Sequence, residues 1–236
     1  MPLDLEGKRA LVVGGGGGIG AATARTFSAA GARVFAAGRP GLKLDAIAAD
    51  VGGKAVAFDI LDNAAIEAFF AGTAVFDHVV IAAAATKSGS VVGLPLDDAK
   101  SSMESKFWGA YRVARAAKVA DGGSITFVSG FLAHRPSAGA VLQGAINAAL
   151  EALSRGLALE RAPVRINTVS PGLIDTPLWS GMHNAEREAM FARTAKALPA
   201  RCIGQPEDIA QAILFVATNP FATGTTVTVD GGGTIA

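Results

Sequence analysis

The chain of 236 residues carries 21 lysines and arginines against 20 aspartates and glutamates, and half of its residues are apolar. A net charge of +1 with no basic cluster argues against nucleic acid and an anionic membrane surface, while the apolar half suffices for a sizeable core. One cysteine, Cys202, excludes an internal disulfide, charges at Asp4, Glu6, Lys8 and Arg9 interrupt any secretory leader, and the longest charge-free run (209–229) holds Gln211, Asn219 and Pro220, so a cytoplasmic protein without a membrane partner is expected.

In chain order, RALVVGG (9–15) opens with a β-branched run that has no polar side, as suits a strand covered on both faces. ATARTFSAAGA then predicts a helix closed by Gly31, and RVFAAG a second strand. KAVAFD predicts a third, with Asp62 capping the helix that runs through Phe70. DHVVIAAAA is a fourth strand, with the alanines 82–85 read as tight packing at its end, and SSMESKFWGAYRVARAAKVA (101–120) a long helix. GSITFVSG is a fifth strand, and the apolar stripe Leu142, Ile146, Ala149, Leu150, Leu153 and Leu157 makes 140–160 a helix. VRINTVSPG is a sixth strand, QPEDIAQAILFVAT a helix with Pro206 in its first turn, and TTVTVDGGG a seventh strand. Strands alternating with helices predict an α/β fold with a doubly wound, parallel, seven-stranded sheet and helices on both faces. No linker divides the chain, so a single domain over 1–236 is expected. Residues 175–205 break the rhythm after the sixth strand, at the strand end where such sheets bind ligands, and are read as a substrate lid. Its Leu178, Trp179, Met182, Met190 and Phe191 suggest an apolar small-molecule substrate.

The turn VVGGGGGIGAA places Gly14, Gly18 and Gly20 between the first strand and the first helix. Glycine there lets the backbone approach a pyrophosphate, which then rests on the helix N-terminus. The spacing G-x-x-x-G-x-G, with AFD ending at Asp59, VSPGLIDTP (169–177) and TVTVDGG (226–232), resembles the compact, Rossmann-type short-chain dehydrogenase/reductase family over essentially the whole chain. The resemblance implies a nicotinamide cofactor held by Gly14, Gly18, Ile19, Gly20, Arg39, Asp59, Ile60, Ala83, Pro171, Gly172, Ile174 and Thr176, and a homo-oligomer, dimer or tetramer. The second strand ends in Gly38 and Arg39 where NAD-preferring members carry an acidic residue for the ribose 2′-hydroxyl. A guanidinium with no carboxylate beside it suits a 2′-phosphate, so NADP(H) is favoured over NAD(H).

The family's catalytic set is Asn, Ser, Tyr and Lys. Carried onto this chain residue by residue, the tyrosine and lysine positions of Y-x-x-x-K fall on Gln143 and Asn147, the serine position on Gly130 and the asparagine position on Lys106. All four depart from the pattern. The only tyrosine, Tyr111, lies on the preceding predicted helix and reads as a packing or interface aromatic. An amide cannot exchange a proton near neutral pH, so Gln143 cannot act as the family's acid. Lys106 and His134 are the candidate substitutes; Ser129, Arg135 and His183 also stand near the expected pocket. Three scattered histidines and one cysteine make no metal site. Three readings stay open: an oxidoreductase acting on a carbonyl or alcohol with atypical catalytic residues, a catalytically inactive nucleotide-binding homologue serving as sensor or inactive subunit, and a non-redox enzyme reusing the pocket.

Overall fold

The structure, a computed structural model, describes residues 4–236. Seven strands, β1 (Arg9–Val13), β2 (Arg33–Gly38), β3 (Lys54–Ala57), β4 (Phe76–Ile81), β5 (Val119–Val128), β6 (Arg165–Pro171) and β7 (Thr226–Val229), form one parallel sheet in the order β3-β2-β1-β4-β5-β6-β7. The chain leaves β1 for β2 on one side and reaches β4 on the other, so the crevice for a ligand opens at their C-terminal ends. The doubly wound fold is therefore as the alternating pattern predicts.

Alternation along each strand feeds two cores. Leu11 and Val13 of β1 join Phe70, Val113, Leu150 and Ile166 on one face of the sheet. Ala10 and Val12 join Phe27, Ile209 and Ile213 on the other. The first face is covered by α3 (Asn63–Gly72), α5 (Gly109–Ala116) and α6 (Val141–Glu160), the second by α1 (Gly18–Ala29) and α8 (Pro206–Thr218). All seven residues of β6 are buried, the polar ones Arg165, Asn167, Thr168 and Ser170 included, as a strand covered on both faces requires. The caps also follow the sequence. Asp62 accepts the Ala65 amide, and Gly31, at φ +92°, closes α1 with its amide on Ser28 O while Ala32 reaches Phe27 O.

The helix expected over 101–120 differs. It begins earlier, as α4 (Leu96–Met103), loosens into a π turn (Glu104–Trp108), resumes as α5 and stops at Ala116, while Val119 opens β5 by pairing with Phe76. Gly109 explains part of the irregularity: a side chain there would lie 2.6 Å from Ile60 Cγ1, so the helix is drawn against the segment after β3. The alanines 82–85 lie beyond β4, which ends at Ile81. Two helices lie outside the expected elements: α2 (Leu42–Asp50), which buries Leu44 and Ala48, and α7 (Asn184–Ala197), which buries nothing. The latter lies within the segment read as a lid, after a short 3-10 turn at Pro177–Trp179. Tyr111 is partly exposed and stacks edge-on against Trp108, with ring centroids 5.6 Å apart.

Candidate active site

The crossover from β1 to α1 is built by backbone contact. Gly14 sits at φ +90°, and a Cβ on it would lie 2.7 Å from the Ala83 amide nitrogen; a Cβ on Gly20 would lie 2.1 Å from Gly14 O. The turn therefore closes on itself and on the chain leaving β4, which only glycine permits at both positions. Gly14 N–H and Gly15 N–H both donate to Ala37 O of β2. Helix α1 begins after Gly17 with no side-chain cap, leaving its first amides and the positive end of its dipole facing the crevice. Ile19 packs against the core beneath, and Gly18 faces Thr176 at van der Waals distance. A pyrophosphate fits this cradle by the chemistry of its donors.

The other cofactor candidates line the same edge. Arg39 is exposed just past β2, beyond a half-buried Gly38. Asp59 accepts the Leu61 amide at 3.0 Å, and Ile60 is buried against Gly109. Pro171 ends β6, and Gly172 donates to Val229 O. Ile174 is buried, and its carbonyl accepts Trp179 Nε1–H at 2.9 Å, fixing the start of residues 175–205 beside Thr176.

Across the crevice, the structure brings Lys106, Gly130, Gln143, Asn147 and His134 to one wall. The Ala85 amide donates to Ser105 Oγ at 2.8 Å, so the chain that carries Ala83 also ties down the π turn that carries Lys106. Lys106 Nζ donates to Asn147 Oδ1 at 2.7 Å and to the Ser129 carbonyl at 2.8 Å. Burial pushes its ammonium down to about 8. Asn147, on the buried stripe of α6, is 3 % exposed, and its Nδ2 lies 2.7 Å from where a Cβ on Gly130 would stand. Asn147 thus occupies the space a side chain at 130 would take. One turn earlier, Gln143 Nε2 donates to the Lys87 carbonyl, leaving Gln143 Oε1 buried without a partner.

One residue of this wall escapes the motif-based reading. Glu151, 3 % exposed, holds the Ser129 hydroxyl with one oxygen (3.0 Å) and lies 2.9 Å from His134 Nε2 with the other. Its signal was in the sequence: Gln143, Asn147 and Glu151 recur every four residues on one helix stripe, and a carboxylate on a buried stripe demands partners. His134 is half exposed and reaches this carboxylate. Arg135 turns away to the Gly233 carbonyl, and His183 is the exposed residue preceding α7. Among the described residues no cluster of histidine, cysteine and acidic groups fit for a metal occurs, and no helix is long and apolar enough to cross a membrane.

Comparison with known proteins agrees with this fold. Residues 14–234 match the family model described as Enoyl-(Acyl carrier protein) reductase. A short-chain dehydrogenase/reductase of Stachybotrys chlorohalonatus is 33% identical over 98% of both chains. Galactitol 2-dehydrogenase (L-tagatose-forming) of Cereibacter sphaeroides is 31% identical over 98% of this chain and 96% of its own. Among solved structures, a small-chain dehydrogenase in complex with NADPH superposes with a TM-score of 0.86 at 34% identity, covering 97% of this chain and 99% of the other. With the fold, the glycine cradle and these relatives in agreement, the chain belongs to the short-chain dehydrogenase/reductase family, whose fold binds a nicotinamide cofactor, and is an oxidoreductase of that type.

Proposed function

We propose that the protein is an NADP(H)-dependent oxidoreductase interconverting a carbonyl and an alcohol on an apolar small molecule, with Lys106 in place of the family's tyrosine as proton donor. The observation that carries this reading is the bond from Lys106 Nζ to Asn147 Oδ1. The family's lysine position holds an amide and its asparagine position holds the ammonium, so the two groups have exchanged helices and still meet. When bound, the nicotinamide supplies or accepts the hydride. The chain's own part is to orient the substrate oxygen and give it a proton. Lys106 suits that task because a group titrating near 8 is protonated at neutral pH and releases its proton without a large penalty. Gln143 cannot do so, and its amide is engaged with Lys87.

In this reading Gly14, Gly18, Ile19 and Gly20 hold the pyrophosphate, Arg39 the 2′-phosphate, Asp59 and Ile60 the adenine, and Ala83, Pro171, Gly172, Ile174 and Thr176 the nicotinamide half. The single domain spans 1–236, and residues 175–205 close over the substrate. Dimers or tetramers form, and light scattering at micromolar concentration checks this. The decisive measurement is NADPH consumption across a panel of apolar ketones. Turnover should fall by about 10² to 10⁴ in Lys106→Met, the usual loss for a removed acid, with NADPH affinity kept. His134→Ala, which removes the other candidate acid, should leave most of the rate. The bond from Gln143 to Lys87 favours a second reading, a nucleotide-binding protein without turnover. That reading stands if NADPH binds and no ketone is reduced.

A further inference from the structure

We propose that the Lys106 amine condenses covalently with carbonyl compounds, so that this pocket also carries amine chemistry that needs no cofactor. The proposal rests on the reading that carbonyl compounds enter the pocket. Its geometry comes from the two partners of Nζ, Asn147 Oδ1 and the Ser129 carbonyl. Both are neutral acceptors. A neutral amine has two N–H bonds, and these two acceptors take both, leaving the nitrogen lone pair as the remaining, unengaged position.

Among the described residues no carboxylate pairs with Lys106. The acidic groups on the surrounding elements are engaged elsewhere: Glu104 of the same turn with Arg112, Asp98 of α4 with Lys87, and Glu151 of α6 with Ser129 and His134. A desolvated ammonium without a carboxylate is costly, so the site holds a larger share of free amine than water does. The lowered titration agrees: near pH 8 about half of Lys106 is free amine, against under about one per cent for an ordinary lysine.

In the condensation the Nζ lone pair attacks the carbonyl carbon, and the C=O π electrons go to oxygen. The resulting carbinolamine loses that oxygen as water, leaving a C=N bond to Nζ. Protonated, this iminium draws electrons from the neighbouring carbon. An α-hydrogen then leaves to water, a proton returns from water, and hydrolysis releases the amine and the carbonyl compound unchanged.

The probe is acetylacetone, which a free amine converts, with loss of one water, into a stable enaminone that absorbs in the near ultraviolet. The intact protein is treated at pH 7.5 without nucleotide, and the modified lysine is located by peptide mass spectrometry. Lys106 should be labelled at least about tenfold faster than any exposed lysine, and Lys106→Arg should lose the fast phase. In parallel, cyclohexanone followed by borohydride should leave a secondary amine on Lys106. The mapping uses the unaltered protein, so the test survives a variant that fails to fold. Labelling spread evenly over exposed lysines, or Lys106 unmodified, overturns the proposal. Because nucleotide is absent throughout, the outcome is independent of the reductase reading: ketone reduction without an adduct at Lys106 defeats this inference alone, and an adduct without reduction defeats the other alone.

Discussion

The two walls of the crevice are specified in different ways. The β1–α1 crossover is held by backbone contacts that leave no room for a side chain: Gly14 against Ala83, and Gly20 against Gly14 itself. The opposite wall, from the π turn across the end of β5 to α6, is held by side-chain hydrogen bonds among Lys106, Asn147, Ser129, Glu151 and His134. A wall made of backbone tolerates one sequence. A wall made of side chains on a rigid helix can exchange its chemistry while the fold stays put, and Gln143 and Asn147 keep their places on the buried stripe of α6 whatever they do there.

The sharpest way to break this contrast is Gly20→Ala. Its Cβ would stand 2.1 Å from Gly14 O, inside any van der Waals limit. The turn must open, at a cost of about 3 kcal/mol or more in urea unfolding, with loss of nucleotide binding. Gly17→Ala is the control. Its backbone is extended, at φ 179°, and nothing lies within 4 Å, so stability should change by less than about 0.5 kcal/mol.

The second wall should accept exchange, but only as a unit. Gly130→Ser alone sets a Cβ 2.7 Å from Asn147 Nδ2 and must push that amide off Lys106. Asn147→Lys alone removes the Oδ1 acceptor and adds a second cation beside the first. Hence Gly130→Ser, Gln143→Tyr and Asn147→Lys should recover little while Lys106 remains. Adding Lys106→Asn, which returns the exchanged pair, should raise NADPH-dependent ketone reduction by about 10²-fold over the triple variant, because residues acting as a unit are non-additive. A triple variant as active as the quadruple would show that the two positions are uncoupled.

What was legible in the sequence follows the same division. Backbone constraint is written in residue type: the glycines of the crossover, the apolar run of β1, Asp62 and Gly31 as caps, and Pro206 opening α8 are all legible in the sequence. The π turn is not, since Glu104–Trp108 keeps a helical pattern, and the close approach of Gly109 to Ile60 beside it is made only in the fold. Helix α7 was hidden because it buries no residue and so carries no stripe. On the second wall, the motif located Lys106 and Asn147 separately, 41 residues apart, and only the fold joins them through a bond. Glu151 lies one turn beyond the positions that the family's motif occupies, so the motif does not mark it.

Lys106 should also cost the fold stability, as a backbone wall of glycines does not. Its folded-state titration near 8 lies below the ordinary lysine value of 10.5. Between those pH values the unfolded chain holds the extra proton, so the protein gains stability as pH rises from 8 to 10.5. Lys106→Met lacks this slope. The variant should be more stable than the parent by on the order of 2 kcal/mol at pH 7, and the gap should close towards pH 10.5. Urea unfolding at pH 7, 8.5 and 10 checks both the sign and the trend. A constant gap would mean that packing, and not the buried charge, sets the difference.

The smallest effect tests the first wall where it does depend on a side chain. Arg39 is exposed and follows a Gly38 that offers no carboxylate to a ribose hydroxyl. A guanidinium pairs with a phosphate through two parallel N–H bonds, but an exposed pair is screened and loses much of its strength to water. Arg39→Ala should therefore weaken NADPH by only about tenfold, near 1.4 kcal/mol, and leave NADH unchanged, because NADH has no 2′-phosphate to lose. Arg39→Lys should fall between, keeping the charge without the fork. Calorimetric titration of both nucleotides on all three proteins separates the outcomes. An equal loss for NADPH and NADH would place Arg39 on the loop's structure, and no loss for either would leave NADP(H) selectivity to the space that Gly38 opens.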